Sequence, residues 1–101
     1  MLPGWRVVAV RGADARPWLQ DLVTADVSGL ADRRSRRSLV LSPTGRIRAD
    51  FHVAAVDGSF LLLQSPEQPE TVDAILDRYV LSSDVELQDR TDRSVVIAVL
   101  D

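Results

Sequence analysis

The chain of 101 residues contains no cysteine. That absence excludes disulfides, thiolate nucleophiles, zinc–cysteine sites and cysteine-ligated iron–sulfur clusters, so any such chemistry must come from a partner. Lysine is missing too: all 12 basic residues are arginine, as a GC-rich coding bias or selection for a planar, bidentate cation would produce. There is one histidine, His52, and without a second it has no companion for a histidine-based metal site. No apolar run approaches the roughly 18 to 20 residues that span a bilayer, and the N-terminus shows no basic-then-apolar leader. The expectation is a soluble cytoplasmic protein with no membrane partner.

What is present bounds one modest core. A hydrophobic fraction of 46% in a chain of this length supports a single domain over residues 1–101. The formal charge of −3 argues against a general nucleic-acid binder. Half of the arginines lie between Arg33 and Arg48, which makes one basic region on a mildly acidic body. Such a region suits a solvated strand edge or the attraction of a polyanion.

The periodicities alternate in type. Trp5 to Val10 reads as a strand ended by Arg11-Gly12. A helix follows, with Asp14 as N-cap, Pro17 in the first turn and Ala15, Trp18, Leu19, Leu22 and Val23 on one stripe. Turn residues fill 26–32. Arg36 to Leu41 and Arg46 to Val56 form two strands joined by Ser-Pro-Thr-Gly, and Asp57-Gly58 leads into Phe60 to Leu63, an unbroken apolar run that predicts burial on both faces. Ser65 and Pro66 predict the start of a second helix, whose stripe is Val72, Ile75, Leu76, Tyr79 and Val80. Val85 to Leu87 and Ser94 to Leu100 read as strands. The fold class is therefore α+β, a mostly antiparallel sheet with two helices packed on it. The apolar strand at 94–100 needs a neighbour or a cover, which predicts that the chain belongs to something larger, by truncation or self-association.

The residues of most interest lie from Ser42 to Val53. Ile47, Ala49, Phe51, Val53 and Ala55 alternate toward the core, which sends Arg46, Arg48, Asp50 and His52 to the other face. Asp50 then sits between two cationic or titratable neighbours. It reads either as a surface carboxylate paired with Arg46 or Arg48, or as a functional group. His52 reads as a hydrogen-bonded strand histidine, and Trp5 and Trp18 as core or interface residues. Ser42 has no nucleophile-elbow context, and Gly45 is a turn residue.

Three stretches carry a family resemblance: Val-Arg-Gly-Ala-Asp-Ala-Arg-Pro-Trp-Leu-Gln-Asp-Leu-Val-Thr-Ala-Asp-Val (10–27), Leu-Ser-Pro-Thr-Gly-Arg-Ile-Arg-Ala-Asp-Phe (41–51) and Asp-Arg-Tyr-Val-Leu-Ser-Ser-Asp-Val-Glu-Leu-Gln-Asp-Arg-Thr (77–91). In order and spacing they resemble the N-terminal part of the folate-binding YgfZ/GcvT family, which includes the aminomethyltransferase (T-protein) of the glycine cleavage system. The wording is nearer the YgfZ branch. The resemblance implies half of a duplicated folate-binding domain, tetrahydrofolate as cofactor, and a role in folate-dependent maintenance of iron–sulfur enzymes. It places Asp50 where T-proteins carry an aspartate near the reactive folate nitrogens, with Arg48 and His52 as its neighbours in the cofactor site. Aminomethyltransferase-type one-carbon transfer, with Asp50 catalytic, and a non-catalytic assembly module are the other readings. Implied partners are the folate, a second copy or a second subdomain, and an iron–sulfur or lipoyl protein. The lysine- and cysteine-containing motif of the YgfZ branch has no counterpart here.

Overall fold

A computed structural model describes residues 5–81 and 83–90. The predicted strand at 94–100 lies outside the described residues. Among the described residues five strands form one sheet: β1 (Arg6–Arg11), β2 (Ser35–Leu41), β3 (Ile47–Val56), β4 (Ser59–Gln64) and β5 (Glu86–Asp89), in the order β2-β3-β4-β1-β5. Every described pairing is antiparallel. The helices are α1 (Ala15–Leu22) and α2 (Val72–Asp77). The predicted α+β class and the β2-β3-β4 meander are both present.

Local chemistry explains the elements. The β-branched run of β1 suits a pleated, buried strand, and its central residues are fully buried. Asp57 and Gly58 both take positive φ (51° and 81°), the turn geometry whose twist matches the flanking strands of a two-residue hairpin. In β4, Phe60 and Leu62 join the main core while Leu61 and Leu63 pack with Val7 and Ala9 on the opposite face, so the unbroken apolar run is buried on both sides.

The main core sits between one sheet face and the helices. Trp18 and Leu19 of α1 and Val72, Ile75 and Leu76 of α2 pack with Val8, Val10, Phe51, Val53 and Leu62. Each such large side chain contributes about 1.5–3 kcal/mol by leaving water. Trp18 also donates its indole N–H to the Tyr79 carbonyl (2.9 Å), which ties α1 to the turn after α2. The β2 edge is covered in part by the segment after α1: Thr24 N–H donates to the Leu39 carbonyl (3.0 Å), Leu39 N–H to Thr24 Oγ1 (2.9 Å) and Ala25 N–H to Ser38 Oγ (3.1 Å).

Three sequence expectations need correction. The second helix starts at Val72 rather than near Pro66, because Pro69 lacks an N–H and biases Gln68 away from helical backbone. The helix also ends at Asp77, so of its stripe Val72, Ile75 and Leu76 are buried, Val80 packs against the core from beyond the helix, and Tyr79 is exposed. Asp14 holds the N-cap position of α1 without capping it; its carboxylate instead accepts the Asp84 N–H at 2.7 Å. Ile47 is 63% exposed and faces away from the core. The cause is a register shift: Val40 pairs with Ala49 but Leu41 pairs with Ile47, so Arg48 is an extra residue that breaks the alternation.

Candidate functional site

The bulge at Arg48 sets up the site. Counted back from the turn without it, Arg37 would oppose Phe51 and share its inward face. With it, Arg37 opposes His52 and Leu39 opposes Asp50. Arg37, Asp50 and His52 therefore occupy the outward face together, while Ser38 and Phe51 are buried beneath them.

Arg37 reaches diagonally along that face to Asp50. Its Nε donates to Oδ1 at 2.9 Å and its Nη2 donates to Oδ2, a two-pronged grip. The hydrogen bonds from Arg37 hold the Asp50 carboxyl below the usual carboxylate range, against the opposing effect of partial burial. The same bonds push the Arg37 guanidinium up.

The main chain of Asp50 is held as firmly as its side chain. β4 ends at Gln64, opposite Phe51, so no strand is left to satisfy the next residue of β3 on that side. Gln68 fills the place. Its Oε1 accepts the Asp50 N–H (2.9 Å) and its Nε2 donates to the Asp50 carbonyl (2.6 Å). Buried Gln64 in turn donates to Gln68 Oε1 (2.9 Å) and to the Glu70 carbonyl (2.8 Å), and accepts the Val72 N–H that opens α2 (2.8 Å).

An open hollow of about 300 Å³ lies over these groups, and its walls include Trp5, Arg37, Asp50, His52, Glu67 and Gln68. The Trp5 and His52 rings are 6.5 Å apart and tilted by 39°. Arg48, expected beside Asp50, is instead paired with Glu70 (Nη2 to Oε2, 2.7 Å) and does not line the hollow. That pairing anchors the β4–α2 loop carrying Gln68. Of the three residues singled out from sequence, Asp50 and His52 come together and Arg48 stands apart. Arg37 and Gln68 escaped sequence reasoning, because they depend on the bulge and on a loop read as helix; Trp5, read as a core or interface residue, packs against the smaller core cluster and also lines the hollow. Among the described residues no cluster of three His, Asp or Glu side chains could hold a metal ion. No described helix is long and apolar enough to cross a membrane.

Chemically, the arrangement is an ionised carboxylate in a partly aromatic hollow. Its charge is paired with the Arg37 guanidinium, and its oxygens can accept further hydrogen bonds. Because Arg37 stabilises its charged form, it is a weak proton acceptor.

Fold and site together define an antiparallel α+β layer bearing an open, carboxylate-lined hollow. The chain belongs to the GCVT N-terminal domain family, whose model it matches over residues 5–100. Among solved structures it is similar to the glycine cleavage system aminomethyltransferase T from Bartonella henselae, with a TM-score of 0.77 and 20% identity over 85% of this chain. That match covers 24% of the Bartonella protein, so the chain spans about a quarter of its length. No curated protein matches the chain.

Proposed function

We propose that this chain is the tetrahydrofolate-binding subdomain of a YgfZ-like protein concerned with folate-dependent maintenance of iron–sulfur enzymes. The observation that carries the reading is Asp50: a carboxylate at the position implied by the family resemblance, favoured in its ionised form and hydrogen-bonded through side chain and main chain at the wall of a hollow. The hollow is at the small end of ligand sites, which run from about 300 to 1,000 Å³. It suits the fused-ring head of a folate rather than the whole molecule. Asp50 would accept hydrogen bonds from that ring system, with His52 and Trp5 offering aromatic faces and Arg37 keeping the carboxylate charged. A second copy or a further subdomain would supply the remaining wall, and an iron–sulfur or lipoyl protein would be the partner served.

Aminomethyltransferase-type one-carbon transfer is the second reading, favoured by the presence of Asp50 itself. Tetrahydrofolate, when bound, supplies the nitrogens that carry the one-carbon unit. The Arg37 grip weighs toward binding and orientation, because a carboxylate stabilised in its charged form gains little by taking a proton.

Calorimetric titration with 5-formyltetrahydrofolate tests the proposal. Saturable binding is expected, weakened on the order of tenfold in Asp50→Ala, the loss of one charge-assisted hydrogen bond. Absence of binding to the wild-type chain would overturn it.

A further inference from the structure

The Gln68 side chain is unusually well used for a residue in a loop. Its amide has two acceptor and two donor positions, and all four are engaged: Oε1 takes the Asp50 N–H and Gln64 Nε2, while Nε2 gives to the Asp50 carbonyl and to Ser65 Oγ (3.1 Å). The direction of the amide is fixed by its partners, since a main-chain N–H can only donate and a carbonyl can only accept. One side chain thus reproduces the two-bond pattern of an antiparallel strand pair at the place where β4 has stopped. Gln64 holds that amide from behind and also binds the first N–H of α2, so the clamp is braced against the core.

We propose that Gln68 is a positioning residue of the candidate site: it fixes the main chain of Asp50, braced by Gln64, so that the carboxylate meets a ligand in one orientation. Without the clamp, Asp50 would be the first residue of β3 beyond the β4 pairing, with an N–H and a carbonyl turned to an open edge. Such a position is free to fray, and its side chain would move with it. With the clamp, Asp50 is held at three points: N–H, carbonyl and carboxylate. The ligand's identity rests on the folate reading; the clamp rests on the hydrogen bonds alone.

Two substitutions in the 101-residue chain separate these. Gln68→Leu removes both bonds to Asp50, whereas Gln68→Glu retains an acceptor for its N–H and loses the donor for its carbonyl. Hydrogen exchange followed by NMR should show the Asp50 amide exchanging on the order of tenfold faster in Gln68→Leu, the loss of about one net hydrogen bond. The Val53 and Leu62 amides should keep their wild-type rates, and Asp50 should stay protected in Gln68→Glu. Affinity for 5-formyltetrahydrofolate should fall in both variants, by no more than the roughly tenfold lost in Asp50→Ala, because Gln68 acts through Asp50. In an Asp50→Ala background, Gln68→Leu should cost nothing further, because it acts through Asp50.

Unchanged Asp50 protection in Gln68→Leu would overturn the clamp whatever the folate result. Additive losses of affinity in the double variant would overturn the positioning role by showing that Gln68 meets the ligand itself. Selective loss of Asp50 protection in a chain that binds no folate would sustain the clamp and remove the folate reading. Should Gln68→Leu fail to fold, Gln68→Glu decides: protected Asp50 with weakened affinity supports the proposal, and wild-type affinity overturns it.

Discussion

Arg37 reaches Asp50 diagonally across the β2–β3 pair because of a residue whose own side chain bonds elsewhere, to Glu70. The extra residue Arg48 shifts the register of the hairpin by one, and that shift turns Arg37 from the inward to the outward face. The Arg37 fork then closes on both carboxylate oxygens of Asp50. A local irregularity near the hairpin turn, not the alternation of the strand, brings the two charges together.

The first prediction concerns pH. Asp50 has a carboxyl lowered in the folded state, chiefly by Arg37, and Glu70 is lowered chiefly by its hydrogen bond from Arg48. A lowered folded-state value means that the charged form is favoured by folding. The contribution is therefore complete above the unfolded carboxyl range, near pH 4, and is lost as pH falls through the lower folded values. Arg37→Met should move the Asp50 titration upward toward its ordinary value, as read from its side-chain carbon shift. The variant should lose less stability than wild type between pH 4 and more acidic conditions. An Asp50 titration that does not move would mean that the fork is absent in solution.

The second prediction compares Ile47 with Val53. Both fall on the apolar alternation of the sequence, yet Ile47 is 63% exposed beside exposed Leu41, and Val53 is fully buried. Ile47→Thr should therefore change stability by no more than about 0.5 kcal/mol. Val53→Thr places a hydroxyl among apolar neighbours and should cost about 1–3 kcal/mol. Chemical denaturation of the two variants measures the difference. Equal losses would show a regular hairpin without the bulge.

The same pair shows what was legible in the sequence. Alternation located β3, the turn residues located both hairpins, and the apolar run of β4 correctly implied burial on two faces. Those signals are periodic, so a strand announces itself by repetition. A bulge is a single-residue event with no period, and Arg48 carries no composition that marks it. The face of Asp50 and His52 was legible, while the partner Arg37 was not, since its position depends on register. Gln68 was hidden for a different reason: Ser65-Pro66 imitates a helix start, and the stripe from Val72 onward is real, so the loop between them read as helix. Pro69 was the contrary signal.

A third prediction concerns Arg16, whose Nη1 lies 2.7, 3.1 and 3.2 Å from the carbonyl oxygens of Val27, Ser28 and Leu30. Its guanidinium also sits 5.0 Å above the Phe60 ring. One side chain on α1 thus fastens the loop that leads to β2 and covers a core aromatic. Arg16→Met keeps much of the apolar stem and removes the donors, and should cost about 1–3 kcal/mol by leaving part-buried carbonyls unsatisfied. Thermal unfolding checks it. A loss below 0.5 kcal/mol, the ordinary scatter of surface changes, would mean that water replaces the guanidinium without penalty.

Gly12 provides the most severe single test of the architecture. It ends β1 with φ of 123°, a conformation that L side chains rarely adopt, and a Cβ built there would lie 2.1 Å from the Asp84 carbonyl oxygen. That carbonyl is not free to retreat, because it accepts the Asp14 N–H at 3.1 Å while the Asp84 N–H donates to the Asp14 carboxylate at 2.7 Å. Relieving the contact would therefore break a reciprocal pair that joins the start of α1 to the turn before β5. Backbone strain alone costs about 1–3 kcal/mol, and the collision adds to it. Gly12→Ala should lower the unfolding midpoint more than Gly45→Ala, where φ is 87° but nothing lies within 4 Å of the added atom. Both substitutions carry backbone strain, and Gly12→Ala adds to it the larger departure in φ and the collision with Asp84. Equal losses in the two variants would show that the turn around Asp84 yields to an added methyl group without cost.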